Sequence, residues 1–511
     1  MNQKDKAGQR LMLALDGPEL DDATARFLVE MRVGGICLFG RNITSAEQVT
    51  QLTRDLQDLA ARHGLPPLLI SIDEEGGRVS RMPADGQDWI TPSQMAQAAA
   101  GDDAIGVAAG IVARRLRKLG INMDFTPVAD LNNNPANPAI GTRSFGTDPE
   151  TVARRVAIAV RAYLAENIAP CVKHFPGHGD TAVDSHLGLP VVYHNRAHLD
   201  RFELAPFRAA FAAGVPALMS AHILYPQLEP SNLPATLSPL FLTRLLREEL
   251  GYTGIVFSDA LNMDAIAQYY PRPDATVMTL KAGADIALPL GDMATQQACL
   301  ERIVERADEL DLDTSLARIL AVKEKFALPP LPADPDRERA DARLAAEVAC
   351  RSVTLVGKNS LLPLSGAEAR PVVVDFELPV ASFVEEGRRA GPLLAQLLGE
   401  RWPNLQFLTT SALVPENEAE LVAAAREASV LVVVVRNAQR VPAQAALLEK
   451  LLAVQPRAVV VAARDPYDLS LAPAAPVRLA LYGDPPVSVR ALVKALFGEI
   501  TITGQLPVKV N

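Results

Sequence analysis

The sequence of 511 residues has only four cysteines, and they are not spaced as pairs. Cys37 and Cys171 fall within apolar, strand-like runs, Cys299 falls in a predicted helix, and Cys350 lies near the start of the second half. None of them belongs to a Cys-x-x-Cys unit. The spacing argues against a disulfide framework and against a zinc knuckle, and it predicts reduced, buried thiols.

The chain also lacks an excess of positive charge. Fifty lysines and arginines stand against 60 aspartates and glutamates, which gives a formal net charge of −10. A protein that binds nucleic acid or an anionic membrane usually carries a basic footprint. We therefore expect neither as a partner, and a neutral small molecule fits the composition better.

Long hydrophobic runs are missing as well. No apolar run approaches the length of a membrane span, and residues 1–10 are polar and contain no apolar signal core. These features predict a cytoplasmic location. Apolar residues make up 49% of the chain and charged residues 22%, so a globular protein is expected. A chain of this length predicts two to four domains.

Short apolar runs alternate with longer amphipathic segments through the first half of the chain. Eight of these runs are predicted strands, at residues 11–15, 35–39, 68–72, 122–127, 169–172, 217–221, 254–258 and 285–288. The intervening segments have helical spacing; two of them open with a capping residue and a proline, at Asp148-Pro149 and Ser238-Pro239. Eight strand and helix pairs predict a (β/α)8 barrel, which we assign to residues 1–328.

A proline-rich stretch separates this barrel from a second domain. Prolines at this density predict a stiff connector, and we assign residues 329–345 to a linker with a connecting helix. Residues 346–511 form the second domain, with six predicted strands at 353–356, 372–374, 406–409, 430–435, 458–462 and 478–481. Their extended apolar runs predict a largely parallel sheet covered on both faces. This half contains no dinucleotide-binding or phosphate-binding glycine motif, so we expect an accessory domain and no cofactor.

Polar clusters appear where the predicted barrel strands end. They occur after strands three to seven and include Asp73 with Arg81, Asp130 with Arg143, the segment 173–186, His222 and Asp259. Any one of these charges is readily explained as a solvated loop or a backbone cap. Their recurrence at five strand ends instead indicates an active site on the loops after the strands, as barrel enzymes have.

The densest cluster is the segment 173–186, which contains three of the seven histidines. Proline and glycine at 176, 177 and 179 exclude a regular helix, so a long loop is predicted after the fifth strand. One interpretation is a metal site at His174 and His178, but their spacing needs a helix to bring both rings to one face. A second is a polar loop that satisfies its own backbone.

A third interpretation concerns Asp184 and His186. An aspartate two residues from a histidine can hydrogen-bond one ring nitrogen and leave the other to transfer a proton near neutral pH. Asp259 stands at the tip of a buried strand, where its carboxylate would be rigidly held. The sequence leaves open whether Asp259 is a reactive carboxylate or a helix cap.

These motifs together resemble glycoside hydrolase family 3. Lys-His-Phe-Pro-Gly-His-Gly-Asp-Thr at 173–181, followed by Asp-Ser-His at 184–186, resembles the signature of its β-N-acetylglucosaminidases. Phe-Ser-Asp-x-Leu-x-Met at 257–263 resembles the nucleophile motif, and the segments at 72–79, 122–130 and 140–145 match the same family. Shorter motifs at 362–364, 466–469 and 504–507 resemble its C-terminal α/β sandwich domain. The resemblance therefore extends over nearly the whole chain.

The resemblance implies a retaining β-N-acetylhexosaminidase that needs no metal and no cofactor. Asp259 is implied as the nucleophile, and His186 as the acid/base with Asp184 as its partner. The implied sugar-binding residues are Asp73, Arg81, Arg143, Lys173 and His174. The implied substrate is a terminal β-N-acetylglucosamine residue on a cell-wall muropeptide or a chitin-type fragment, which would fit a role in peptidoglycan recycling.

Three other functions remain open at this point. A histidine acid/base would also admit phosphate as the acceptor, so a phosphorylase with the same residues is one alternative. The second is a sugar-binding barrel that has lost catalysis, although the intact Asp259, Asp184 and His186 argue against it. The third is a metal-dependent hydrolase, which a chelator would inhibit.

Overall fold

A computed structural model describes residues 1–83, 89–378, 385 and 391–510 of the chain. Within these ranges the first half contains an eight-stranded sheet and the second half a six-stranded sheet. Among the helices of the described ranges, none has the length and apolar character that crossing a bilayer would require.

The first sheet is a parallel barrel. Its strands pair in chain order, and a parallel bridge between Leu11 and Ala287 joins the last strand to the first. The strands are Met12–Ala14 (β1), Gly35–Leu38 (β2), Leu69–Ile72 (β3), Met123–Asp124 (β4), Ala169–Phe175 (β5), Ala217–Ser220 (β6), Ile255–Ala260 (β7) and Ile286–Leu288 (β8). Each overlaps a predicted strand, so the predicted (β/α)8 barrel is confirmed.

Helices surround the barrel and continue into the second half. The α-helices of the first half are Gln3–Gln9 (α1), Asp22–Met31 (α2), Ala46–Arg62 (α3), Gln94–Ala100 (α4), Asp102–Lys118 (α5), Pro149–Ala165 (α6), Arg196–Arg201 (α7), Leu204–Ala212 (α8), Asp264–Ala267 (α9), Arg272–Ala282 (α10), Met293–Glu305 (α11) and Leu312–Phe326 (α12). A π-helix spans Leu240–Glu249. Short 3-10 helices occupy Gly40–Asn42, Gly141–Arg143, Ala235–Leu237 and Ala307–Glu309.

The two predicted helix starts had different outcomes. Asp148 caps α6 as predicted, because its carboxylate accepts a hydrogen bond from the Thr151 amide at 2.9 Å. The prediction for Ser238 was wrong, because its hydroxyl donates to Glu229 and makes no capping bond. The helix there begins at Leu240 and is a π-helix.

The barrel has two apolar layers. Inside, large side chains from alternate strand positions fill the centre, and Phe125 and Phe257 meet edge to face with ring centroids 5.6 Å apart. Outside, aliphatic side chains of the strands pack against the surrounding helices. Because apolar side chains fill the centre of the barrel, the polar residues of a binding site lie at the ends of the strands.

The strands of the second sheet are Thr354–Leu355 (β9), Pro371–Glu377 (β10), Gln406–Ser411 (β11), Val430–Val435 (β12), Ala458–Ala462 (β13) and Val477–Ala480 (β14). The sheet has the order β11-β10-β12-β13-β14-β9, and it is parallel except for its edge strand β9. Separate apolar cores cover its two faces, so the predicted sheet is confirmed. Its helices are Pro335–Ser352 (α13), Gly391–Gly399 (α14), Glu418–Glu427 (α15), Pro442–Val454 (α16) and Pro486–Leu496 (α17), with 3-10 turns at Ala438–Arg440 and Pro466–Leu471.

The second domain packs directly against the barrel. Met95 and Ala99 of the barrel helix α4 are buried in the apolar core of one face of the second sheet. The Ser93 hydroxyl donates to the carbonyl of Tyr482 at 2.6 Å, and Gln505 donates its amide to the carbonyl of Ala99 at 3.0 Å. The carboxyl end of the barrel, where α4 begins, is therefore partly covered by the second domain. The domain limits at 328 and 345 stay predictions; residues 327–334 have no regular structure.

Candidate active site

One pocket at the carboxyl end of the barrel strands gathers the side chains that the sequence predicted. Phe39, Phe125 and Met263 are among its apolar lining residues. Seven of the eight predicted site residues line it: Asp73, Arg81, Arg143, Lys173, His174, His186 and Asp259. The eighth, Asp184, reaches the pocket through its contact with His186. Side chains separated by up to 186 positions in the sequence thus meet in one place because parallel barrel strands end at the same rim.

Two cations and two carboxylates form a continuous network in this pocket. Lys173 donates to Asp73 at 2.6 Å and lies 2.7 Å from Glu75. Arg143 binds both oxygens of Glu75, at 2.7 and 2.8 Å. Glu75 therefore fixes both cations, while Asp73, the more exposed carboxylate, faces the pocket. Such a set of donors and acceptors suits the hydroxyl and carbonyl oxygens of a sugar.

The network keeps its members charged despite their burial. Burial opposes ionisation of Glu75, but Arg143 and Lys173 outweigh it and hold the pKa of that carboxyl well below its usual range. Burial also opposes the charge on Lys173, yet Asp73 and Glu75 raise the pKa of Lys173 above its usual value. The site therefore presents fixed charges to a ligand at neutral pH.

The two histidines at the end of β5 and just after it have internal partners. His174 lies on the strand, and its Nδ1 is 2.6 Å from the carboxylate of Asp130. His178 contacts the hydroxyls of Thr181 at 2.9 Å and Ser185 at 3.1 Å. Burial, with the neighbouring His174, lowers the pKa of His178 to about 4. Both rings are thus fixed by hydrogen bonds within the site.

The start of the predicted loop was wrong, because β5 continues through Lys173 and His174 to Phe175. Lys173 and His174, which both line the pocket, therefore lie on the strand, at an irregularity where its pairing with β6 shifts register. In the part of the chain that the structure describes, the residues that could together hold a metal ion do not include His174, His178 or His186.

His186 and Asp184 form the predicted dyad. The Nδ1 atom of His186 lies 2.8 Å from Asp184 Oδ1, and the same oxygen accepts the His186 backbone amide at 3.0 Å. Asp184 is buried, whereas His186 retains 24% of its side-chain exposure. A buried carboxylate thus orients a ring that can still reach a ligand. Because Asp184 contacts Nδ1, proton exchange with a ligand would use Nε2.

Asp259 lies near the end of β7 and lines the pocket. Its Oδ1 accepts the Ala260 amide at 2.7 Å, which fixes the carboxylate on the strand. Burial opposes its ionisation, but the nearby His222 and His174 and the Ala260 amide outweigh burial, so the pKa of Asp259 is lowered. His222, at the end of β6, contacts the Ala260 carbonyl at 3.1 Å and so supports the same turn. An ionised carboxylate here can act as a nucleophile.

Residues of the second domain reach the loops around this pocket. Arg440 donates to the carbonyl of Asn137 at 2.6 Å and pairs with Asp465 at 2.5 Å. The Asn137 side chain in turn donates to the carbonyls of His178 and Gly179, both at 2.8 Å. A chain of hydrogen bonds therefore connects the second domain to the loop that carries the dyad.

The sequence did not indicate a function for two residues that hold the site together. Glu75 binds both Lys173 and Arg143, and Asp130 binds His174. Both belong to polar clusters that the sequence placed at strand ends, so the clusters were visible. The sequence did not show which residues these carboxylates bind, because Arg143 is 68 positions from Glu75 and only the fold brings them together.

The family model of the Glycosyl hydrolase family 3 N terminal domain matches residues 4–322. The chain belongs to glycosyl hydrolase family 3. The match covers the barrel with all eight predicted site residues, so the family resemblance is confirmed. Within the family 3 barrel, the residue roles assigned from the motifs stay predictions.

Individual relatives of this family 3 chain carry hexosaminidase names. It is 36% identical to Beta-hexosaminidase A of Pseudoalteromonas piscicida over 68% of its own length and 62% of that protein's length. It is 38% identical to a Beta-hexosaminidase of Alkalilimnicola ehrlichii over 54% of its length and 79% of that protein's. The chain thus spans less than two thirds of the Pseudoalteromonas relative.

A solved structure extends the similarity to both domains. The glycoside hydrolase family 3 β-N-acetylglucosaminidase from Paenibacillus sp. str. FPU-7 is 38% identical and superposes with a TM-score of 0.92. The alignment covers 100% of this family 3 chain and 99% of that one. The arrangement of barrel and second domain is therefore shared with that enzyme.

Proposed function

We propose that this family 3 protein is a β-N-acetylhexosaminidase that removes terminal, non-reducing β-N-acetylglucosamine residues with retention of configuration. The observation that carries the proposal is that Asp259 and His186 line one pocket, with His186 held by Asp184 at 2.8 Å. A retaining glycosidase needs a nucleophile and an acid/base group, and these two side chains can supply them. The hexosaminidase names of the relatives support the same class.

In the first step, the Asp259 carboxylate would attack the anomeric carbon. The bond to the leaving oxygen would break as His186 donates its Nε2 proton to that oxygen, giving a glycosyl ester of Asp259. Asp184 would stabilise the imidazolium before the transfer. The lowered pKa of Asp259 supports this role, because the attacking group must be ionised.

In the second step, water would replace the leaving group. The neutral His186 would take a proton from the water as its oxygen attacks the anomeric carbon, and the bond to Asp259 would break. Two displacements on the same carbon return the original configuration. Asp73, Arg81, Arg143, Lys173 and His174 would hold the sugar hydroxyls and the acetamido group.

The substrates would be β-N-acetylglucosaminides of the cell-wall muropeptide or chitin-fragment type. The apolar lining around Phe39, Phe125 and Met263 would suit the methyl group of the acetamide and the sugar ring faces. A role in peptidoglycan recycling and a cytoplasmic location stay predictions.

The direct test compares the hydrolysis rates of nitrophenyl β-glycosides that differ only in the substituent at carbon 2 of the sugar. We expect hydrolysis of the N-acetylglucosaminide to exceed that of the glucoside, and a β-configured product in proton NMR before mutarotation. An α-configured first product would contradict retention. Glycosyl phosphate as the main product in phosphate buffer would indicate a phosphorylase instead, and binding without turnover would indicate a sugar-binding barrel.

A further inference from the structure

A second group of polar side chains lies beside the loop that carries the dyad, at the start of the following helices. It consists of His194, His198 and Glu203, and in the described ranges the potential ligand atoms of these three residues lie within 4.8 Å of one another. His194 precedes α7, His198 lies on it, and Glu203 immediately precedes α8. None of the three lines the pocket described above. The proposed reaction gives this group no function.

Glu203 is the most informative member. The residue is only 3% exposed, and its Oε2 atom has no hydrogen-bond partner among the described residues. Its other oxygen accepts the side-chain amide of Asn133 at 3.2 Å and lies 3.5 Å from Nε2 of His198. A buried carboxylate oxygen without a partner is costly unless a further group binds it.

Stacking holds the two imidazole rings in fixed positions. The rings of His194 and His198 stack with centroids 3.7 Å apart, and Phe202 stacks on His198 at 4.5 Å. The buried Nε2 atom of His198, like the Glu203 oxygen, has no hydrogen-bond partner among the described residues. Two unpartnered ligand atoms on neighbouring side chains therefore lie within the reach of one ion.

We propose that His194, His198 and Glu203 bind a divalent transition-metal ion of the zinc type. Two imidazoles and one carboxylate are a ligand set that Zn²⁺ accepts, with water at the remaining position. An ion would satisfy both the Glu203 oxygen and the His198 nitrogen. Hard cations such as Mg²⁺ prefer oxygen ligands and would be disfavoured by two imidazoles.

Asp180 connects this site to the dyad loop. Its carboxylate lies 2.8 Å from Nε2 of His194, so it either orients that ring for the ion or joins the ligand set. Asp180 is four residues from Asp184 on the same loop. In either arrangement the ion would tie the loop between β5 and α7 to the start of α8.

The experiment uses the full-length protein, dialysed against a chelator and titrated with ZnCl2. Calorimetry and thermal unfolding are followed together, since neither depends on catalytic activity. We expect one site per chain and a rise of several degrees in the melting temperature. The His194→Ala/His198→Ala variant is expected to lose about 100-fold or more in Zn²⁺ affinity, and Asp180→Ala about 10-fold. His63→Ala, which removes an exposed histidine elsewhere on the barrel, should bind as the wild type does.

Glu203→Gln is the second variant, because the amide keeps the shape and the Asn133 contact but weakens the ligand. We expect Glu203→Gln to lose Zn²⁺ affinity to the same extent as the double histidine variant. Glu203→Gln therefore tests the site even if the double histidine variant does not fold. His186→Ala shows whether Zn²⁺ enters the catalytic pocket instead. The proposal is overturned if wild-type protein shows neither binding nor stabilisation, if Glu203→Gln binds Zn²⁺ unchanged, or if His186→Ala alone abolishes binding.

Discussion

Asp184 lies 2.8 Å from the Nδ1 atom of His186, and the carboxylate is buried while the ring remains partly exposed. The same Asp184 oxygen accepts the His186 backbone amide. This double contact fixes both the ring and its tautomer, so the proton that the ring exchanges is on Nε2. The proposed acid/base function of His186 would therefore depend on a neighbour only two residues away.

The first prediction tests this dyad. We expect His186→Ala to slow hydrolysis of substrates with poor leaving groups far more than that of activated aryl glycosides, which leave without a proton. With an activated substrate, glycosylation should survive and breakdown of the intermediate should become limiting. Turnover is measured across aryl N-acetyl-β-glucosaminides of graded leaving-group pKa, with stopped-flow detection of a burst.

Asp184→Ala is the companion variant, and it should show the same trend more weakly because it removes only the partner of the ring. A wild-type dependence on leaving-group pKa in His186→Ala, with no burst, would mean that His186 is not the acid/base.

The second prediction concerns Asp259. In the proposed mechanism both chemical steps need this carboxylate, so Asp259→Ala should reduce turnover by roughly 10⁴-fold or more while the melting temperature stays close to that of the wild type. The measurement combines steady-state kinetics with thermal unfolding. Retention of even about a tenth of wild-type turnover would be incompatible with a nucleophilic role.

The third prediction concerns Asp73, which lines the pocket and pairs with Lys173 at 2.6 Å. Asp73→Ala should weaken glycoside binding and turnover together, because contacts to sugar hydroxyls often strengthen in the transition state. Lys173 keeps Glu75 as a partner, so the fold should survive. Asp16→Ala is the matched control, since Asp16 follows β1 at the same end of the barrel and is exposed. If Asp73→Ala instead unfolds most of the protein and the remaining folded fraction has normal specific activity, Asp73 stabilises the fold and does not bind the sugar.

The fourth prediction is a pH dependence of stability that originates at His178. Its pKa is about 4 in the folded protein and roughly 6.5 in an unfolded chain. As the pH falls below about 6.5, the unfolded chain takes up a proton that the folded ring does not, so this contribution to stability decreases. At about pH 5 the loss should amount to about 2 kcal/mol.

The measurement is urea unfolding at about pH 7.5 and about pH 5 for the wild type and for His178→Gln. Glutamine can hydrogen-bond the hydroxyls of Thr181 and Ser185 but does not titrate. We expect the variant to lose less stability on acidification than the wild type. His63→Gln, at an exposed position, should behave as the wild type does, and equal losses in all three proteins would rule out His178 as the source.

The fifth prediction concerns Arg440, which contacts Asn137 and thereby the loop carrying the dyad. Arg440→Ala should lower kcat by about 10-fold with little change in KM, because it misplaces a catalytic loop without touching the sugar. Arg440→Lys should restore part of kcat. Arg370→Ala, which removes an exposed ion pair with Glu427 in the same domain, should leave kcat unchanged. Equal effects of the two alanine variants on kcat would refute the positioning role.

The sequence predicted the barrel well because each of its strands is a local apolar run between helical segments. The site residues were predictable for a related reason: polar side chains at strand ends must meet when the strands are parallel. The ion-pair partner of each charged residue was harder to predict. Glu74 and Glu75 are equivalent as sequence, and only the fold shows that Glu75 lies between Lys173 and Arg143.

Other differences arose where tertiary contacts override local signals. Ser238 precedes a proline in a typical capping pattern, but Glu229 captures its hydroxyl. The short apolar run before His174 predicts that this residue lies in a loop, yet the strand continues to Phe175 and His174 pairs with Asp130. The contact between Arg440 and Asn137 joins two domains, and no local pattern in either domain indicates it.

The contacts between the second domain and the barrel also determine when the pocket can be completed. Translation proceeds from the N-terminus, so the ribosome releases the whole barrel before Asp465 and Tyr482 exist. Yet Asp465 holds Arg440 against the loop at Asn137, and the carbonyl of Tyr482 binds Ser93 ahead of α4. The loops of a nascent barrel can therefore reach their final positions only after Tyr482 has been synthesised. Chains terminated before Asp465 would carry every side chain with a proposed catalytic role and still lack the contacts that position the loops around the pocket.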